Sequence, residues 1–391
     1  MFFENGFRVF FFLAFAFATI FIFSWLLCYS GLILIHPLFN NLLIWHGHEM
    51  VYGFVIAVIS GFLLTAVAMW TSTPPIKGRA LIALSLLWLL GRIEVTFTIF
   101  NPLIASIIDL SYIPFLMFFF AKPLFSSHNK RNYIILGFLG LLFFCNLIIH
   151  LAHTHLLNDA VANNALYASL GVILLFITLI GGRVIPFFTI NALNRFGFQL
   201  KNTPQPMLDS LTLITMVIFI FTILVFSTHS KSTGYAALAV AIVHGCRMGF
   251  WHTRYCFMDP LLWILHSAYL WMIVGMIFWF YSTVVTNEIP ISISLHLITI
   301  GCISSLCLGM MARVSLGHTG RPLQISKFMT VSFLLMQLCV LLRFAGAFFT
   351  HHYMQTISGA GAFWTIAFIL YGIVYTPILY RPRMAEVPSV S

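Results

Sequence analysis

Charge is the scarcest commodity in this chain: only 7% of its 391 residues are Asp, Glu, Lys or Arg, while 61% are hydrophobic. Soluble domains carry about 25% charged residues, so a water-soluble fold is excluded. Apolar–polar alternation of period two is missing as well, which excludes an outer-membrane barrel. The seven cysteines (Cys28, Cys145, Cys246, Cys256, Cys302, Cys307 and Cys339) show no CxxC spacing and no CxxCH. A zinc ribbon and a covalently attached c-type haem are thereby ruled out, and the thiols read as small buried apolar groups. No internal repeat is evident, and no low-complexity run occurs apart from a short Ser- and Pro-containing tail after Arg383. The first apolar run is too long for a signal-peptide core and no small-residue cleavage site follows it, so no cleavable leader is expected.

What is abundant is apolar length. Runs of about twenty residues recur, each sufficient to cross a hydrocarbon core about 30 Å thick. Twelve spans are predicted within one integral membrane domain over 1–391: 8–34, 46–70, 80–99, 102–121, 132–150, 164–185, 208–227, 233–251, 259–281, 293–315, 325–348 and 357–380. The fold class is all-α and polytopic. Most loops are short, so neighbouring helices should run antiparallel. The stretch from Pro186 to Met207 is expected to be a longer loop with a surface helix or ordered segment, and 42 phenylalanines are expected to face lipid or fill the packing.

Basic residues set the expected topology. Arg8, Lys77, Arg79, Lys122, Lys130, Arg131, Arg195, Lys201, Arg254, Arg321, Lys327, Arg381 and Arg383 fall at the two ends or in even-numbered loops; odd-numbered loops hold only Lys231, with Asp159 and Glu288. By the positive-inside rule both termini are cytoplasmic. The formal charge of +10 then reports topology and attraction to anionic membrane lipid, not nucleic-acid binding.

Fifteen histidines outnumber nine acids, and imidazole is the commonest protein ligand for transition metals and haem. Polar groups kept inside a bilayer are expensive and therefore functional candidates. Arg92 and Asp109 lie equally far from the Asn101-Pro102 turn, so they should sit at one depth, with Glu94 nearby: either a self-neutralising ion pair, or a proton path, or an arginine facing a haem propionate. His244 and Arg247 share a helix face, and His266 reaches nearly the same depth across the next turn. These histidines read as a hydrogen-bonded core pair or as metal or haem ligands, although adjacent helices 8–10 Å apart are a tight fit for a porphyrin between them. His46, His48 and Glu49 open the second span, and His296 opens the tenth. Residues two apart on a regular helix diverge by about 200°, so His46 and His48 must serve different partners unless His46 lies in the preceding loop. His150, His153 and His155 form a weaker interfacial group, as do His351 and His352. Arg183, Arg313 and Arg343 are further buried cations, the first two placed to snorkel.

Four segments together resemble the NnrS family of bacterial inner-membrane proteins associated with nitric oxide resistance: WHGHEMVYGFVIAVISGFLLTAVAMWT from Trp45, GGRVIPFFT from Gly181, LWILHSAYLW from Leu262, and HLITIGCISSLCLGMMARVSLGHTGRPL from His296. The resemblance runs through essentially the whole chain in the family's order. By position His46, His48, Glu49, Arg183, His266, His296, Arg313, His318 and Arg321 match the family's motif residues. Where the family more often has Pro-Asn-Trp-Thr, this chain has Ala68-Met69-Trp70-Thr71, losing a proline kink but no ligand. The resemblance implies twelve spans, a non-covalent b-type haem and copper; its motif histidines, with His244 added from its depth in the hairpin, give the candidate metal ligands His46, His48, His244, His266 and His296. Arg92 or Arg343 would compensate propionate charge.

The expected function is therefore a haem- and copper-binding inner-membrane protein that handles or senses nitric oxide or a nitrosyl species and limits nitrosative damage, with an electron donor as a further partner. No constellation identifies a reductase, so catalysis is not implied. The rival is a proton-coupled secondary transporter whose relay uses buried His, Arg and Asp. His318 differs from the rest: in Leu316-Gly317-His318-Thr319-Gly320-Arg321 it sits in a Gly-flanked loop suited to binding an anion or capping span ten.

Overall fold

The computed structural model describes residues 1–384 apart from 155, 202 and 287, with the backbone alone at Thr350; His155 therefore lies outside the described residues. It is helical throughout, with no strand among the described residues. Among the described residues, eleven helices are long and apolar enough to cross a membrane, making this a multi-pass membrane protein. They are α1 (Gly6–Tyr29), α2 (Leu42–Thr71), α3 (Arg79–Phe97), α4 (Pro102–Ser126), α5 (Lys130–His153), α6 (Asp159–Arg195), α7 (Pro206–Phe226), α9 (Pro260–Val285), α10 (Ile291–His318), α11 (Lys327–Ala345) and α12 (Tyr353–Tyr380). The remaining predicted span is α8 (Lys231–Gly249), 19 residues long, which falls short in apolarity because Lys231, His244 and Arg247 stand among its small residues.

Most helix limits shift by a few residues from the sequence reading, α1 for example stopping at Tyr29 and not at 34, and two shifts bear on polar or proline positions. Helix α2 starts at Leu42, because the Asn41 side chain caps it, accepting from Leu43 N at 2.9 Å; His46 and His48 thus lie inside the helix. Helix α6 continues to Arg195, so Pro186 is helical and only the remainder of the 186–207 stretch is connection. A proline ring presses on the residue four positions back, and that residue is Gly182.

Several helices contain wide π turns: Glu49–Val55 in α2, Ile177–Gly181 in α6, Tyr281–Val285 in α9 and Leu297–Ser304 in α10. Such turns are rare and cluster at functional sites. Their carbonyls find side-chain donors here. Gly53 O accepts from Trp88 Nε1 at 3.2 Å, Thr178 O from Arg247 Nη1 at 2.8 Å and Thr299 O from Ser304 Oγ at 2.7 Å.

The chain packs as two compact units. The first comprises Met1–Phe143, Cys307–Phe333 and Trp364–Ser391, the second Phe144–Leu306 and Leu334–Phe363. In the first, α1 lies against the second half of α2, where Gly61 lets Phe10 and Phe11 close in and Thr65 Oγ1 accepts from Phe7 N at 3.1 Å. Trp364 Nε1 of α12 donates to Ala18 O of α1 at 3.0 Å. Helices α3 and α4 form a tight hairpin: Thr98 takes a left-handed conformation (φ 47°), and Asn101 Oδ1 accepts from Ile104 N at 2.9 Å ahead of Pro102. Buried Glu94 serves this turn, accepting from Phe100 N at 3.1 Å.

In the second unit α6, α7, α8 and α9 pack together, and α10 joins α9 where Gly275 admits Ile298 and Gly301 admits Trp271. Trp271 Nε1 donates to Gln337 Oε1 at 2.7 Å, and Gln337 Nε2 to Ser305 Oγ at 3.1 Å, tying α9, α10 and α11. Among the phenylalanines, Phe115, Phe118 and Phe221 are exposed on α4 and α7.

Gly61→Leu places a branched side chain where a Cβ already meets Phe11 at 2.8 Å, whereas Gly137 has nothing within 4 Å. Overpacking costs about 1–3 kcal/mol, so Gly61→Leu should lower the thermal midpoint in detergent and Gly137→Leu should not. Equal midpoints for the two proteins would contradict this packing.

Candidate functional site

Each unit buries its own polar cluster. In the first, His48 and Glu49 sit where α2 enters its π turn, Arg92 on α3 and Asp109 on α4, all of them buried. Arg92 Nη1 donates to Glu49 Oε1 at 2.5 Å, and Nη2 donates to Asp109 Oδ1. His48 Nδ1 lies 3.0 Å from Glu49 Oε1, and its Nε2 lies 3.4 Å from Asp109 Oδ2. The four groups close a ring of alternating acid and base. Glu49 Oε2 has no hydrogen-bond partner among the described residues.

Small residues make this ring possible. A Cβ on Gly91 would stand 3.3 Å from Asp109 Oδ1, and one on Gly53 would stand 3.2 Å from Arg92 Cδ and 2.5 Å from the Phe17 ring. The π turn places Gly53 there and frees its carbonyl for Trp88. Tyr52 and Phe39 pack on the His48 ring at 4.8 and 4.7 Å, and Tyr112 on α4 donates to Ser60 Oγ at 2.7 Å. His46 turns to different company, stacking on Trp25 at 4.4 Å and lying 6.0 Å from Phe21. Both histidines are helical, and they serve different surroundings.

The second unit holds His244, Arg247, His266 and His296. Arg247 Nη2 donates to Asp209 Oδ1 at 2.5 Å while Nη1 reaches the π-turn carbonyl of Thr178. A Cβ on Gly182 would meet that guanidinium at 2.1–2.3 Å, so a side chain there would push Arg247 off Asp209 and the Thr178 carbonyl. His244 Nδ1 lies 2.7 Å from Tyr269 Oη and its Nε2 3.4 Å from Thr212 O. His266 Nε2 lies 2.8 Å from Thr189 Oγ1 and its Nδ1 3.1 Å from Thr253 Oγ1. Both rings therefore engage protein groups through both nitrogens. Between them Trp251 packs on Tyr269 at 4.4 Å. His296 is half-buried, and its Nδ1 lies 2.5 Å from Ser292 O. A backbone acceptor at that nitrogen favours the Nδ1–H tautomer, with the ring lone pair on Nε2.

The other predicted residues are dispersed. Arg343 is buried on α11, its guanidinium 5.8 Å from the Tyr353 ring. Arg183 is exposed on α6 and Arg313 is buried on α10. His318 ends α10, and the loop after it caps that helix: Gly320 is left-handed (φ 69°) and Arg321 N bonds Leu316 O at 3.0 Å, a Schellman closure.

Partners missed from sequence are Asp209, Tyr269, Thr178, Thr189 and Thr212. Asp209 carried a usable signal as one of nine acids; the hydroxyls and carbonyls carried none.

Compared with known families, the chain matches the family model described as NnrS protein over residues 1–383. Comparison with curated proteins returns no match.

Removing one member of a buried ion-pair set strands the others at about 3–5 kcal/mol. Arg92→Met should thus sharply reduce the yield of folded protein, and adding Asp109→Leu should recover part of it. A single variant as stable as the parent would rule out the ring. Tyr269→Phe should cost about 1–3 kcal/mol through the stranded His244 nitrogen, read as a lower thermal midpoint.

Proposed function

We propose, since the chain belongs to the NnrS family, that it binds haem and copper in a bacterial inner membrane and there handles or senses nitric oxide, limiting nitrosative damage. Nitric oxide is small and apolar and partitions into bilayers, so a centre buried among helices is well placed to meet it. The observation that carries the reading is the His48–Glu49–Arg92–Asp109 ring, an array of ionisable groups retained in an apolar interior. Intramembrane ionisable residues mark functional sites by default.

The residues fit the two cofactors differently. His48 Nε2 and Asp109 Oδ2, 3.4 Å apart, are separated by the ligand-to-ligand edge of a tetrahedral site with bonds of about 2.1 Å. Glu49 supports the opposite ring nitrogen, as carboxylates commonly do behind a metal-bound histidine. This set suits copper. A haem is better served by His296, with its favoured tautomer, on a helix whose neighbouring Ile293 and Leu297 pack with Trp271, Phe278 and Phe344. Arg343, one position before Phe344, would offset propionate charge, because Arg92 is already committed to two carboxylates. His244 and His266 would each have to surrender a hydrogen bond to ligate. Bound haem would supply an exchangeable axial position for a diatomic ligand. Arg92 holds the Glu49 and Asp109 carboxylates in place.

Absorption spectra of the purified protein test this reading. An intense Soret band that shifts on adding nitric oxide under reduction is expected. His296→Ala should bleach or shift that band, while His48→Ala should lower the copper content and leave the band. A colourless preparation from haem-replete cells, free of both metals by elemental analysis and competent in proton-coupled uptake, would replace this reading with the transporter.

A further inference from the structure

The loop after α10 was open to two readings, and its Schellman closure accounts for the backbone but not for the charge gathered around it. Three distant parts of the first unit converge there. Arg8, at the start of α1 and only 3% exposed, donates through Nη1 to Leu379 O at 2.5 Å and Arg381 O at 2.6 Å, closing the carboxyl end of α12. Arg321 donates to Thr319 O at 3.4 Å, and that same carbonyl accepts from Met384 N at 2.9 Å, drawing the chain beyond α12 across the end of α10. Arg383 follows, its Cγ and Nε 3.3 and 3.6 Å from the position a Cβ would take on Gly320. Electrostatically Arg8 feels Arg321, Arg321 feels Arg381, and His318 feels Arg383.

The helix ends do not absorb this much charge. Each carboxyl end is worth roughly half a negative charge, so α10 and α12 together offset about one of the guanidinium charges of Arg8, Arg321, Arg381 and Arg383. Glu4 is the carboxylate that acts on Arg8, and it also lies 3.6 Å from the terminal amine. Even with Glu4 granted wholly to the arginines, about two positive charges remain. The buried Arg8 Nε has no hydrogen-bond partner among the described residues. Arg381 and Arg383 are exposed and Arg321 half-exposed, so the cluster is open to a ligand.

We infer that the carboxyl ends of α10 and α12, with Arg8, Arg321, Arg381 and Arg383, form a binding site for a phosphate group. A phosphate near −2 balances the excess, and guanidinium forks match its oxygens in paired hydrogen bonds. The group could come from a phospholipid headgroup or from free phosphate. General attraction of loop arginines to an anionic surface needs no convergence of residues 8, 321 and 383 on one another, whereas a built site does.

The test uses the full-length protein in neutral phosphatidylcholine nanodiscs. Inorganic phosphate is added against chloride at matched ionic strength, and phosphatidic acid is supplied separately at a few molecules per disc. The readouts are the thermal midpoint and the phosphatidic acid retained in native mass spectra. The wild type should respond to at least one source: a response to phosphate identifies a soluble ligand, and a response to phosphatidic acid alone identifies a headgroup. R321Q/R383Q should bind about tenfold or more weakly, while K130Q/R131Q, basic residues elsewhere in the same unit, should bind as the wild type does. Should the double glutamine protein fail to fold, R383Q, altered at an exposed side chain, carries the comparison. No response in the wild type, or equal losses in the cluster and control variants, would overturn the site.

Discussion

A guanidinium held between two carboxylates where no water reaches is the interaction on which the first unit depends. Arg92 cannot shed its charge, since guanidinium stays protonated at any accessible pH. Two helices therefore bring carboxylates to it, Glu49 from α2 and Asp109 from α4. That requirement fixes the approach of three helices. Gly91 and Gly53 are the spaces through which they come close enough. The second unit repeats the solution with Arg247, which takes Asp209, the Thr178 carbonyl and the vacancy over Gly182. In both places the carbonyl of a π turn helps to satisfy a side chain, so polar satisfaction and helix distortion have one origin.

The π turns also stand directly after candidate histidines. An extra residue in a turn shifts the face of everything beyond it, so side chains on either side of the turn can address different neighbours. In α2 the turn begins at Glu49; His46 and His48 precede it and diverge by the ordinary rotation of a regular helix, His46 toward Phe21 and Trp25 and His48 toward Glu49 and Asp109. In α10 the turn begins directly after His296. The proposed ligands thus stand at the edges of distortions, where geometry is set by tertiary packing and not by helical regularity.

The division of labour between sequence and fold can be read residue by residue. Hairpin arithmetic about Asn101 was enough to place Arg92 beside Asp109, because two regular helices joined by a capped turn preserve depth. It could not add His48 and Glu49, since they lie on α2, outside that hairpin, and their approach is set by packing between helices. Pairing Arg247 with His244 by spacing was sound for the helix face, yet Tyr269, Thr212 and Asp209 come from other helices and were invisible. Likewise, the glycines around His318 suggested a cap or an anion loop, but nothing local pointed to Arg8, 310 residues earlier, or to Arg383.

By itself, the sequence determined that the chain is helical and crosses a membrane many times, because hydrocarbon leaves backbone groups no partner except their own helix and so imprints twenty-residue apolar runs. It also determined family membership, through motifs long enough to be specific. Only the tertiary structure decided which buried charges neutralise one another and which histidine nitrogens are taken. Those outcomes hang on a few ångströms of helix approach, which glycines, π turns and caps adjust and which no linear pattern records.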